Sequence, residues 1–112
     1  MAKLIVTEGP DTGSEYDLDP QAERLTVGRD PSSEIPLNDT SVSRRHFNLV
    51  RTPHGWQVVD LGSRNQTLLN GKTVREALLN DGDLLRAGDT ETRFENPGAP
   101  VHSTGILSMA KE

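Results

Sequence analysis

Asn70-Gly71 is all that separates Thr67-Leu68-Leu69 from Lys72-Thr73-Val74. Both turn residues tolerate positive φ, and a two-residue turn of this kind matches the twist of the strands on either side. Two antiparallel strands are therefore dictated here, and the same rhythm runs along the chain. Gly55 closes the short connection Thr52-Pro53-His54-Gly55 between Phe47-Asn48-Leu49-Val50 and Trp56-Gln57-Val58-Val59, a second hairpin signal. Gly9 to Gly13, Asp19-Pro20, Asp30 to Ser33 and Asn80 to Asp83 are further turn material. Between them Leu4 to Thr7, Glu15 to Leu18, Arg24 to Val27, Leu84 to Arg86 and Thr92 to Glu95 read as strands. Ile35-Pro36-Leu37 is a short extended piece that Pro36 keeps out of the middle of a sheet. No segment holds a helical period over three turns. Many short strands at this spacing predict an all-β fold, an antiparallel β-sandwich or barrel.

The chain has 112 residues, enough for one domain with one core. Its net charge of −5, from 12 Lys plus Arg against 17 Asp plus Glu, argues against a nucleic-acid binder, which carries a basic face. It does not argue against a local basic cleft, since one cleft can hold positive potential on an acidic protein. There is no cysteine, so neither a disulfide framework nor a thiolate metal site is expected. No apolar run approaches the roughly 18 residues of a membrane span. Met1 to Val6 is too short for a signal peptide and leads straight into a strand, which suits a cytoplasmic protein. From Asn96 onward the chain carries Pro, Gly and Ser without periodicity. The expected organisation is a domain over 1–95 and a flexible tail or linker over 96–112, leading to further domains in a longer protein.

Three stretches gather the candidate chemistry. Ser41-Val42-Ser43-Arg44-Arg45-His46 opens into the apolar run at Phe47. Leu25-Thr26-Val27 ends in Gly28-Arg29, and Val58-Val59-Asp60-Leu61 ends in Gly62-Ser63-Arg64-Asn65. Each is a strand meeting a loop of hydroxyls, guanidiniums or amides, and three such loops side by side suit a cluster of phosphate oxygens. Arg29 offers a planar fork of donors that stays charged, unless it pairs with its neighbours Asp30 or Glu34. Ser43 offers a hydroxyl and a backbone amide. Asn65 can donate and accept through one amide, which fits a peptide main chain. His46 is a structural ring linking loops, a metal ligand or half of a Ser43–His46 catalytic pair with Asp60. His54 and His102 lie at no ligand spacing to it, and no nucleophile-elbow sequence is present. Arg45 is expected to face water.

These motifs, in this order, resemble the forkhead-associated (FHA) domain, a β-sandwich module that reads phosphothreonine. The resemblance rests on Gly28-Arg29, Ser43-Arg44-Arg45-His46, Ser63-Arg64-Asn65-Gln66, Asn70-Gly71 and Gly82-Asp83, and covers Leu4 to Glu95. It implies phosphopeptide contacts from Arg29, Ser43, Arg44, Ser63, Arg64 and Asn65, supported by Gly28 and His46, with no metal, no cofactor and no catalysis. It implies a phosphothreonine-bearing protein as partner, within a Ser/Thr-kinase pathway of the kind bacterial regulators use. Selectivity beyond the phosphate is expected from Asp39 to Ser41. Gln66 departs from the family, which usually has Gly there. A β-region backbone at Gln66 is the expectation, so that Gly in its place would destabilise.

Two other readings stay open. One is a domain of this fold that binds an unphosphorylated partner or regulates an attached domain, with Gln66 as its hint. The other is a small serine hydrolase using Ser43 and His46. The tail adds a separate expectation: Thr104, with Leu107 three positions later, could once phosphorylated enter the pocket of its own domain or, with less demand on linker reach, of a second copy.

Overall fold

The computed structural model describes residues 2–103 and 106–109. Its strands are β1 (Lys3–Glu8), β2 (Glu15–Asp17), β3 (Arg24–Gly28), β4 (Ile35–Pro36), β5 (Phe47–Thr52), β6 (Gly55–Asp60), β7 (Thr67–Leu69), β8 (Lys72–Leu78), β9 (Leu84–Ala87), β10 (Thr90–Glu95) and β11 (Ile106–Met109). No helix occurs among the described residues. Hydrogen bonds link the strands in the order β2-β1-β10-β9-β7-β8-β6-β5-β3-β4, with β11 on β8. Every pairing is antiparallel except that of β3 with β4.

Ten strands at about 4.8 Å spacing would make a flat sheet more than 40 Å wide. The longest axis of the protein is 34 Å, so the path folds over into the two layers of a sandwich. β8 is the hinge of that fold. Thr67–Leu69 pair with its first residues and Gln57–Val59 with its last, so β8 passes from one layer to the other. The buried positions of β8 are Val74 and Ala77, three apart, where a flat strand would bury every second residue. That broken period is why the sequence shows a strand only as far as Val74.

Elsewhere the alternation is regular. β1 buries Leu4 and Val6, and β10 buries Thr90, Thr92 and Phe94. They meet Leu49, Val58 and Leu85 in one core cluster. Each such aliphatic side chain contributes roughly 1.5–3 kcal/mol on burial. Asn48 is buried as well, and the Thr26 hydroxyl satisfies it by donating to its Oδ1 at 2.9 Å.

Past Glu95 the structure differs from the expectation of an unpacked tail. The Asn80 side chain grips the backbone of His102, accepting its N–H at 2.8 Å and donating to its C=O at 3.1 Å. Ile106–Met109 then pairs with β8. A short apolar run behind two prolines gives little signal, because its partner strand is set by the fold and not by a neighbouring turn. Thr104 lies outside the described residues.

Candidate functional site

The antiparallel pairing of β3, β5 and β6 puts the end of β3, the start of β5 and the end of β6 at one edge of the sandwich. The loops after Gly28, before Phe47 and after Asp60 therefore converge. Backbone bonds tie the first two together: the Arg29 N–H donates to Ser43 O at 3.0 Å and the Asp30 N–H to Arg44 O at 3.1 Å. Gly28 is required for this approach. A Cβ there would stand 2.1 Å from the Arg44 carbonyl oxygen.

Between the loops lies a cleft of about 460 Å³ lined by Arg29, Thr40, Ser41, Val42, Ser43, Arg44, Arg64 and Asn65. Five of the six expected contact residues are brought together here. Arg29 does not pair with its neighbours. The Asp30 carboxylate accepts from the Ser32 amide and hydroxyl, and Glu34 accepts the Thr26 amide at 2.7 Å. Those bonds, the Ser32 amide first, hold the Asp30 carboxyl below its ordinary pKa. The Arg29 Nε donates to Val42 O at 3.0 Å, which aims the side chain and leaves both terminal amino groups for a ligand. The ion pairs among the described residues involve Lys3, Arg86 and Arg93, so none of the three cleft guanidiniums is neutralised by a carboxylate.

Ser43 is oriented from both sides. Its Oγ accepts the Arg64 N–H at 3.0 Å, so its own proton is left to be donated into the cleft. Its backbone amide, expected to be available, is instead taken up by His46 Nδ1 at 3.1 Å. Asn65 donates one amide hydrogen to Ser41 O at 2.7 Å, and its Oδ1 and second hydrogen are not engaged among the described residues.

Ser63 is the sixth expected contact, and the structure places it elsewhere. Its hydroxyl donates to Asp60 Oδ1, and Asp60 also accepts from the Thr67 hydroxyl at 2.8 Å and the Gly62 amide at 3.0 Å. The Ser63 amide also donates to Asp60 Oδ2, at 3.3 Å, so both of the donors Ser63 possesses are engaged. Arg45 faces away from the cleft, toward Asp30 and Ser32.

His46 is fully buried. Because its Nδ1 accepts the Ser43 amide, its Nε2 carries the proton and donates to Gln66 O at 2.7 Å. Burial lowers its pKa, against the raising influence of the Gln66 carbonyl and of Asp60 and Asp39, so the ring is held neutral. Neither ring nitrogen engages Ser43 Oγ and Asp60 does not bond the ring, so the three do not form a relay. Among the described residues no group of His, Asp and Glu is arranged to hold a metal.

Gln66 corrects an expectation. Its φ is +60°, in the left-handed region that favours glycine, where a β-region backbone was expected. The loop keeps this shape because the Gln66 carbonyl must face His46 Nε2. Asp39, which sequence reasoning placed only in the selectivity stretch Asp39 to Ser41, is a buried carboxylate beneath the cleft. That buried role was not foreseen, because the Asp39-x-Ser41 spacing of an Asx turn is too common to indicate it.

The chain matches, over residues 5–98, the family described as the inner membrane component of T3SS, cytoplasmic domain (Yop-YscD). It is 39% identical over 95 residues to an oxoglutarate dehydrogenase inhibitor of Corynebacterium jeikeium, covering 85% of this chain and 65% of that protein. It is 41% identical over 87 residues to the glycogen accumulation regulator GarA of Mycolicibacterium smegmatis, covering 78% of this chain and 54% of that one. The chain thus spans between half and two thirds of these relatives' length. A solved FHA domain studied for its phosphothreonine-dependent interactions superposes with a TM-score of 0.76 at 30% identity, covering 89% of this chain and 98% of that domain.

Proposed function

This chain belongs to the forkhead-associated (FHA) domain family, and from that premise we propose that it is a phosphothreonine-dependent protein interaction module of Ser/Thr-kinase signalling. Its partner is a phosphothreonine-bearing protein, and its role is non-catalytic and cytoplasmic. The observation that carries this reading is the cleft itself: three guanidiniums without carboxylate partners among the described residues, beside a serine hydroxyl whose oxygen accepts the Arg64 N–H and whose proton has no acceptor among those residues.

A phosphate brings about −1.5 to −2 charge and three strong acceptor oxygens. Arg29 presents its two terminal amino groups, Ser43 its hydroxyl proton, and Arg44 and Arg64 the remaining positive charge. Each good charge-assisted bond contributes roughly 1.5–3 kcal/mol. Asn65 then holds the main chain beside the phosphothreonine with its remaining carbonyl and N–H. Gly28 and His46 fix the loops without touching the ligand. The reading in which the fold binds only unphosphorylated partners loses its hint, because Gln66 keeps the left-handed backbone. A domain that is one part of a longer protein fits the partial coverage of the longer relatives.

The test is calorimetric titration with a mixture of peptides carrying a central phosphothreonine, beside a thermal melt. Arg29→Ala should abolish binding and leave the melt unchanged within about 1 kcal/mol, as for an exposed side chain. Binding retained within threefold would place the phosphate elsewhere.

A further inference from the structure

The Asp39 carboxylate is buried beneath the cleft and takes no part in the chemistry described so far. Its Oδ1 accepts the Ser41 amide at 2.9 Å and the Ser41 hydroxyl. Its Oδ2 accepts the Thr90 hydroxyl at 2.8 Å and the Asp89 amide at 3.1 Å. The Ser41 Oγ in turn accepts the Asp89 amide at 2.9 Å. Thr90 is fully buried, so this end of the network is anchored in the core of the opposite layer.

Ser41 is confined as a result. Behind it stands Gly88, where a Cβ would lie 2.3 Å from Ser41 Oγ. In front of it stands Asn65, whose Nδ2 donates to Ser41 O at 2.7 Å. Asp39 holds the residue in between. Resting on the phosphopeptide reading of the cleft, we propose that Asp39 is a positioning residue: through Ser41 it sets where Asn65 stands, and so how the two loops grip the peptide main chain. The turn Gly88–Asp89–Thr90, which lines no part of the cleft, is thereby mechanically part of it.

Two variants and two readouts test this. Asp39→Asn weakens the carboxylate network, and Thr90→Val removes one bond to it from outside the cleft. In the free protein, the Asn65 side-chain amide of the wild type should exchange slowly with solvent. Both variants should shift its resonance and speed its exchange. In titrations with the phosphothreonine peptide mixture, Asp39→Asn should lose about tenfold and Thr90→Val about threefold. In an Asn65→Ala background both losses should shrink to within twofold, because the group they act through is gone. A merely structural role predicts equal losses in both backgrounds, and that result would overturn the proposal. So would an Asn65 amide unmoved in both variants. Should Asp39→Asn not fold, Thr90→Val decides alone. A wild type that binds none of the peptides overturns the phosphopeptide reading instead, and the free-protein spectra still decide the positioning.

Discussion

The two loops that face each other across the cleft are each organised by one aspartate, but over different distances along the chain. Asp60 gathers Gly62, Ser63 and Thr67, all within seven residues. Asp39 gathers Ser41 nearby, and then Asp89 and Thr90, 50 and 51 residues on. The later loop therefore carries its own shape, while the earlier one borrows shape from a turn in the other layer. Bonds to Asp60 can form as soon as the loop is made. Those to Asp39 exist only when the sandwich is closed.

The comparison is broken most directly at Asp39. Asp39→Ala leaves the buried Thr90 hydroxyl and the Ser41 amide and hydroxyl without their acceptor and should cost about 3 kcal/mol. Denaturant titration measures this, and a cost below 1 kcal/mol would mean the distant loop is self-sufficient after all. Asp60→Ala, at a half-buried site with local partners, should cost about 1–2 kcal/mol and leave the Asp39 loop's amide shifts unchanged.

Acid sharpens the comparison at His46, which bridges the loops. Its pKa is lowered in the folded protein from an ordinary 6.5. Above that value both states are neutral and stability is full. As pH falls below it the unfolded state takes up a proton first, so stability declines toward the lower folded pKa. Asp39 acts in a lower window. Burial raises its pKa, but the Ser41, Thr90 and Asp89 bonds outweigh this and the net shift is down. Its contribution is present above the ordinary carboxylate range and is lost as pH falls through the folded value. Melts between pH 7.5 and 5.5 should therefore show a first loss attributable to His46, before Asp39 responds. A flat profile there would contradict the buried neutral ring.

The smallest effect is expected at Gln66. A side chain in the left-handed region costs roughly 1–2 kcal/mol, and Gly gives part of that back as greater freedom of the unfolded chain. Gln66→Gly should therefore raise stability by somewhat under 1 kcal/mol. A lowered melting temperature would place the favoured backbone of that loop elsewhere.

What the sequence disclosed follows the same division. Hairpins closed by Asn70-Gly71 and Gly55 are legible because a turn and both its strands are contiguous. That Arg29, Ser43, Arg44, Arg64 and Asn65 meet in one cleft is legible because their spacing follows a family pattern and each sits where a strand meets a loop. Ser63 fits the same pattern, yet its hydroxyl goes to Asp60, and only coordinates separate those two fates. The second half of β8 stayed hidden because a strand changing layers buries every third residue there. Asp39 was read only as part of a selectivity loop, and its role as a buried acceptor stayed hidden because two of its partners are half a chain away.

The pairing of Lys3 with Glu95 has a consequence for how the molecule is made. Among the described strands β1 is synthesised before the others, and its neighbour β10 is nearly the last. Contacts between such distant segments bear the full cost of loop closure before they return anything, which slows folding. On the ribosome, Leu4 and Val6 must therefore wait with one edge of their strand unmatched until Glu95 has cleared the exit tunnel. The cleft shares that delay. Thr90, the far anchor of Asp39, belongs to the same late strand, so a nascent chain cannot hold the binding loop in place before the domain is complete.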